Sequence, residues 1–182
     1  MQVDEKILEK CREGNREAFR VVVQCYQRMA FSLALKMLCD EEEAKDATQD
    51  TFLKLWQKIS EYKKGTNMAT WIYTIASRTC LDRLRKKQHE QPLNDELDIL
   101  REYIEDVNPE RRLMNSELQT IVSLLVAELS PKQRLVFTLC HLEGLGTDEI
   151  IEVSGLDARQ IKSNLYVARQ TIRKRLKDLG YE

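Results

Sequence analysis

TDEIIEVSGLDARQIKSNLYVARQTIRKRLK, residues 147–177, is the stretch whose reading decides the fold. A short apolar-periodic segment over 147–153 runs into Ser154-Gly155-Leu156, and a longer periodic segment follows over 157–178. Two helices joined by a short glycine-containing turn make a helix-turn-helix. In the second helix Ile161, Leu165, Ala168, Ile172 and Leu176 form one stripe and must pack inward. Arg159, Lys162, Ser163, Tyr166, Arg169 and Arg173 are left to face outward. Residues 159–177 carry seven basic side chains and no acidic one. A solvated basic helix can have that composition, but here it follows a glycine turn and a capped start. Recognition helices read base edges with their first turns and meet phosphates further along. Arg159, Lys162 and Ser163 are therefore expected at or near bases, and Arg169, Arg173 and Lys174 at phosphates.

Outward from this segment, every periodicity is helical. Phe19, Val22, Val23, Tyr26, Ala30, Leu33 and Met37 recur at steps of three and four, which places Val21-Val22-Val23 inside a helix. Asp40 with Glu43 and Ser130 with Gln133 have capping-box spacing, and Pro131 takes the favoured first helical position. Asp157 with Gln160 repeats the pattern, and Asn108-Pro109-Glu110 is another cap. The expected helices are 4–13, 16–38, 41–60 and 68–88, then 109–129, 131–143, 147–153 and 157–178. The fold class is all-α, with two small helical domains at 1–88 and 109–182 joined by an acidic linker at 89–108. Modules of this size bury only about 60% of their unfolded surface, so each is marginal alone.

In the helix over 41–60, Ala44, Ala47, Thr51, Leu55 and Ile59 fall on one side. Glu42, Asp46, Gln49 and Asp50 collect on the other, with Leu53 among them. An acidic face is ordinarily just solvated. An apolar anchor inside a polar rim, however, is the composition of a docking surface. Over 61–87, aromatic and basic residues interleave: Tyr62, Lys63, Lys64, Trp71, Tyr73, Arg78, Arg83, Arg85, Lys86 and Lys87. Aromatics that stack on bases beside cations that hold phosphates suit single-stranded DNA. Trp71 shares helical spacing with Met68, Ile72 and Ile75 and is expected in the core, so the loop from Tyr62 to Asn67 is the better candidate for base contact.

The net charge of −1 over 182 residues is not that of a general nucleic-acid binder, but the charge is laid out in blocks. Residues 90–110 hold eight acids against one arginine, between the basic cluster at 83–87 and the basic recognition helix. Such asymmetry fits an anionic partner met at two places. No apolar run approaches the roughly 20 residues of a membrane span, and the N-terminus lacks a secretory pattern, so a cytoplasmic protein without membrane insertion is expected. The five cysteines are scattered and have no CxxC pair, with only His89 and His141 beside them. They are expected to be reduced, helix-borne small hydrophobes, with no metal or other cofactor. No glycine-rich phosphate loop, ligand cluster or nucleophile motif offers catalytic residues, so an enzyme is not expected.

Taken together, these residues resemble bacterial sigma factors of the extracytoplasmic-function (ECF) type over nearly the whole chain. Glu43-Ala44-Lys45-Asp46-Ala47-Thr48-Gln49-Asp50-Thr51-Phe52-Leu53-Lys54-Leu55-Trp56 looks like the family's segment that docks on core RNA polymerase. Trp71-Ile72-Tyr73-Thr74-Ile75-Ala76, on to Asp82 and Arg83, looks like the segment facing the −10 element. Leu129-Ser130-Pro131-Lys132-Gln133-Arg134, Glu143-Gly144 and Ile161-Lys162-Ser163 look like the −35 binding region. The resemblance implies a promoter-specificity subunit that assists melting while catalysis stays with the polymerase. Glu42, Asp46, Gln49, Asp50 and Leu53 would hold polymerase. Tyr62, Lys63, Lys64, Asn67, Arg78, Arg83, Arg85, Lys86 and Lys87 would meet the −10 element. Arg159, Lys162, Ser163, Tyr166, Arg169, Arg173 and Lys174 would meet the −35 duplex. Many members are held by an anti-sigma factor; no residue here identifies one. The chain departs from the family in carrying Arg78 where Asn is common, and Ile151 where Ala commonly follows Glu-Ile.

The competing reading is a helix-turn-helix regulator that binds DNA alone, with a sensor or dimerisation module in front. Core dependence separates the two, since a sigma factor binds promoters tightly only with polymerase. The acidic linker is expected to mimic nucleic acid in the polymerase channel. Neutralising Asp95, Glu96 and Asp98 together should then alter run-off transcript yield, and unchanged yields would contradict that role.

Overall fold

The computed structural model describes residues 3–90, 121, 124–178 and 180. Each described helix begins where the sequence supplies a cap. Asp4 accepts from the Lys6 amide at 3.0 Å to open α1 (Glu5–Arg12), and Asn15 accepts from Ala18 at 3.0 Å to open α2 (Arg16–Leu38). Asp40 accepts from Glu43 at 2.9 Å and opens α3 (Glu41–Gln57), whose first turn carries three glutamates at the positive end of the helix dipole. A single 3₁₀ turn, Ile59–Glu61, follows, so the expected helix 41–60 is broken at Lys58. The Asn67 side-chain oxygen accepts from Ala69 at 2.9 Å and opens α4 (Met68–Glu90).

In the second half, residues 124–127 are helical, and most of the expected helix 109–129, its Asn108 cap and the linker beyond residue 90 lie outside the described residues. Helix α5 (Pro131–Phe137) starts at Ser130, whose amide donates to the Gln133 side chain at 3.2 Å. It widens into a π-turn over Thr138–Leu142, where a continuous α-helix was expected, and Glu143 closes that turn by donating its amide to the Thr138 carbonyl. Helix α6 (Thr147–Ser154) ends at Gly155, which adopts φ +70° and donates to the Ile151 carbonyl at 2.9 Å. Asp157 and Gln160 cap each other's amides at 3.0 and 2.8 Å and launch α7 (Ala158–Asp178). No strand occurs among the described residues.

Two cores form, and α4 belongs to both. One core joins α1, α2, α3 and α4 through Leu8, Val22, Tyr26, Phe52, Leu55 and Ile72. The other joins the C-terminal end of α2 and a second face of α4 to the helix-turn-helix, through Met37, Ala76, Cys80, Leu139, Ile150 and Ile161. The two modules therefore share apolar surface, which suits modules too small to be secure alone. Cys11 and Cys80 are buried as expected, whereas Cys39 is exposed at the left-handed C-cap of α2. Burial pushes the Cys80 thiol up to about 12, so it is an inert packing group.

Nothing lies within 4 Å of where a Cβ on Gly155 would sit, so alanine there meets only the left-handed backbone cost. Gly155→Ala should destabilise urea unfolding of the second module by about 1 kcal/mol, with Gly155→Asn recovering part of it. An alanine variant as stable as the wild type would contradict the turn geometry.

Candidate polymerase-docking and DNA-binding surfaces

Helix α3 separates its two faces as the periodicity predicts. Ala44, Ala47, Thr51, Leu55 and Ile59 are buried, while Glu42, Asp46 and Gln49 are exposed and Leu53 keeps 53% of its surface. Asp50 is half-buried, and Arg83 reaches across to it from α4. Its guanidinium donates to Asp50 Oδ2 at 2.7 Å and to Glu43 Oε2 at 2.6 Å. Partial burial opposes the charge, but the hydrogen bonds it donates to Asp50 and Glu43 outweigh that and hold the Arg83 guanidinium above its ordinary pKa. Arg83 was expected against the −10 element. In this structure two carboxylates are on it, so that it braces α4 on α3 and fixes Asp50 in the acidic face. Glu42 is likewise engaged, accepting from Lys45 at 2.7 Å on the surface.

Beside this face lies a groove of about 720 Å³ between α2 and α3, lined by Phe19, Val23, Phe31, Phe52, Leu53 and Trp56. Leu53 is thus the rim of an apolar trough rather than an isolated side chain. The sequence signal was present in Phe19 and Val23, which lie on the α2 stripe yet remain only partly buried. A helix stripe wider than its own core needs is where such a groove can be sought.

The 62–67 loop is arranged differently from the expectation. Tyr62 is 5% exposed, tilted against Trp71 with ring centroids 5.8 Å apart, and its hydroxyl donates to the Thr66 carbonyl at 2.8 Å. Its ring belongs to the first core and is not offered for stacking, because the 3₁₀ turn before it points the side chain inward. Trp71 is half-buried against the same core. Lys63, Lys64 and Asn67 are exposed; Lys64 stands 3.5 Å from Glu9, and the Asn67 oxygen is used as the α4 cap. Further along α4, Arg78, Arg85 and Lys86 are exposed and Lys87 is half-buried, with Arg85 3.4 Å from Asp82.

On α7, Ile161 and Ala168 are buried, and Leu165 and Ile172 are half-buried. Arg159, Lys162, Ser163, Tyr166, Arg169, Arg173 and Lys174 are all exposed, Tyr166 by 64%. At 100° per residue, Arg159, Ser163 and Tyr166 form the column opposite Ile161 and Ala168, flanked by Lys162 and Arg173. The Arg169 Nε donates to His141 Nε2 at 3.2 Å. Burial, and then the neighbouring Arg169 charge, holds His141 below its ordinary imidazole value, which keeps the ring a neutral acceptor. Ile151 is half-buried against the second core, so the bulk that replaces the family's alanine is accommodated by packing. Among the described residues, no group of three His, Cys, Asp or Glu could hold a metal ion, and no helix is long and apolar enough to cross a membrane.

Comparison with known proteins agrees with this arrangement in both halves. The sigma-70 region 2 family matches residues 22–90, and the sigma-70 region 4 family matches residues 119–172. The ECF RNA polymerase sigma factor SigW of Bacillus subtilis is 28% identical over 96% of this chain and 97% of its own. The RNA polymerase sigma-H factor of Pseudomonas aeruginosa is 27% identical over 97% of this chain and 95% of its own. Among solved structures, CnrH in complex with the cytosolic domain of CnrY superposes with a TM-score of 0.67 at 18% identity, covering 97% of this chain and 99% of that one. The sigma factor RpoE from Bartonella quintana, solved with the anti-sigma factor NepR, gives 0.66 at 21% identity over 87% of this chain and 96% of that one. These two show the fold. With region 2 and region 4 in order along one all-helical chain, the protein belongs to the ECF-type sigma factors, promoter-specificity subunits of RNA polymerase.

Proposed function

We propose that the exposed face of α3 grips core polymerase while the basic surfaces of α4 and α7 address the −10 and −35 elements, in domains divided at the 89–108 linker. The observation that carries this division is Leu53, an exposed apolar residue set among Asp46, Gln49 and Asp50 at the lip of an apolar groove. Glu42 belongs to the rim of the same surface. Interface anchors combine such an apolar centre with a charged surround.

On the DNA side, Arg159, Lys162 and Ser163 sit in the first two turns of α7, where a recognition helix meets base edges. Tyr166 follows in the same column, and Arg169, Arg173 and Lys174 supply phosphate contacts. For the −10 element, Lys63, Lys64, Asn67, Arg78, Arg85, Lys86 and Lys87 are the surface that remains after Tyr62 and Arg83 are assigned to packing and bracing. Arg78, where asparagine is common in the family, puts a cation where the base preference is set. The chain itself performs no covalent chemistry in this reading; melting draws on binding free energy, and its work is in the cytoplasm with the polymerase. Sigma factors seen bound to anti-sigma proteins, as RpoE of Bartonella quintana is with NepR, support an anti-sigma partner here as well.

The surfaces are separable by substitution. Leu53→Ala should weaken capture of core polymerase about tenfold or more, an anchor-sized effect, without changing affinity of the free chain for DNA. Asp50 is a poorer probe, because its loss also takes away one of the two carboxylates that hold Arg83. Arg159→Ala should weaken promoter complexes formed with core by a factor of ten to a hundred and relax preference at one −35 position. Lys174→Ala should weaken them across all sequences and lower the salt slope by about 1. Equal loss of core capture in the Leu53 and Arg159 variants would contradict the division of labour.

A further inference from the structure

The contact between the two modules is built around one carboxylate. Glu143, at the end of the π-turn, has a side chain only 8% exposed. Its Oε1 accepts from Lys36 Nζ at 2.7 Å and from Ser32 Oγ at 3.2 Å, and its Oε2 accepts from the Tyr73 hydroxyl at 2.8 Å. All three donors belong to the first module, two on α2 and one on α4. Lys36 also donates to the Leu142 carbonyl at 3.1 Å. In the other direction, Arg134 of α5 donates to the Met37 carbonyl at 2.9 Å, inside the first module's helix α2. A nearly buried carboxylate holding a charge-assisted bond and two hydroxyls is a strong and geometrically specific contact.

The closed arrangement conflicts with promoter binding. Helix α6 lies on α4, and α7 lies on α5 and α6. Packed helix axes are 8–10 Å apart, which puts the recognition helix roughly 20 Å from α4. The −10 and −35 elements are about 25 base pairs apart, or ~85 Å at ~3.4 Å per pair. One chain in this shape cannot touch both. Closure also covers the face of α4 that carries Tyr73, Ser77, Cys80 and Leu84, within and beside the segment expected against the −10 element. Ser77 Oγ on that face and Thr138 Oγ1 on the π-turn are buried without a protein hydrogen-bond partner, which taxes the closed state.

We infer that Glu143 is an intramolecular latch: in the chain by itself it holds the second module shut against Lys36 and Tyr73, and polymerase binding must open it. The consequence for transcription rests on the promoter reading; the shape does not. A protein whose competent form is a minor population shows an apparent affinity lowered by that fraction, and releasing the latch removes the loss. Because the Glu143 side chain is bonded only to the first module, replacing it spares the hydrogen bonds within the helix-turn-helix.

The test uses the full chain, with small-angle scattering for shape and run-off transcription with core polymerase for competence. Glu143→Lys sets a cation against Lys36 and should raise the radius of gyration. It should also lower the concentration for half-maximal transcript by about tenfold, the cost of one such bond. The exchange K36E/E143K restores opposite charges, with Ser32 and Tyr73 hydroxyls able to accept as well as donate, and should recover much of the compact shape. Should Glu143→Lys misfold, as circular dichroism would show, Glu143→Gln and Tyr73→Phe keep the side-chain volumes and should show smaller expansion. Scattering curves identical to the wild type across these folded variants overturn the latch. Expansion on mutation with no transcript from the wild type or any variant leaves the latch standing and overturns the sigma reading.

Discussion

Helix α4 has to satisfy two cores at once. Ile72 and Ile75 face the first, with Met68 behind them, while Ala76, Cys80 and Leu84 face the second. A helix apolar on two sides is stable only with partners on both, and neither small module offers a full second wall of its own. The arrangement therefore makes the middle of the chain a hinge of free energy as well as of geometry. Separating the modules exposes apolar side chains on α2, α4, α5 and α6, so opening requires a partner that makes better contacts with the open form.

That constraint orders the rest of the molecule. Arg83 braces α4 against α3 through Glu43 and Asp50, and in doing so keeps the acidic face proposed for docking aligned with the helix expected at the −10 element. The π-turn after α5 lets Glu143 finish that segment pointing at α2 and α4 rather than at solvent. Gly155 then turns the chain so that α7 packs its apolar stripe inward and leaves its basic column outward. The residues proposed for base contact are therefore exposed even in the closed shape. What closure withholds is their simultaneous use with α4.

Much of this was legible in the sequence because it was local. Capping-box spacing at Asp40, Ser130 and Asp157 marked helix starts, the α3 periodicity separated Leu55 from Leu53, and the glycine turn with its acid-free helix disclosed the DNA-reading module. Apart from the 3₁₀ and π turns that interrupt two expected helices, what the sequence did not announce was tertiary. Tyr62 reads as an exposed aromatic beside lysines, and only the 3₁₀ turn directs it inward. Arg83 sits in a basic run, but two carboxylates 33 and 40 residues earlier claim it. The pairing of Glu143 with Lys36 spans 107 residues and has no sequence period to announce it. The one available hint was that Tyr73, Ala76, Cys80 and Leu84 make a second stripe on a helix whose first stripe was already assigned.

Whether these surfaces act as one machine depends on core polymerase, and run-off transcription with purified bacterial core enzyme, with and without the chain, measures that dependence directly. The account predicts discrete promoter-initiated transcripts only when both are present, with the chain co-eluting with core. Absence of transcripts from every genomic promoter tried, together with failure to co-elute, would contradict it.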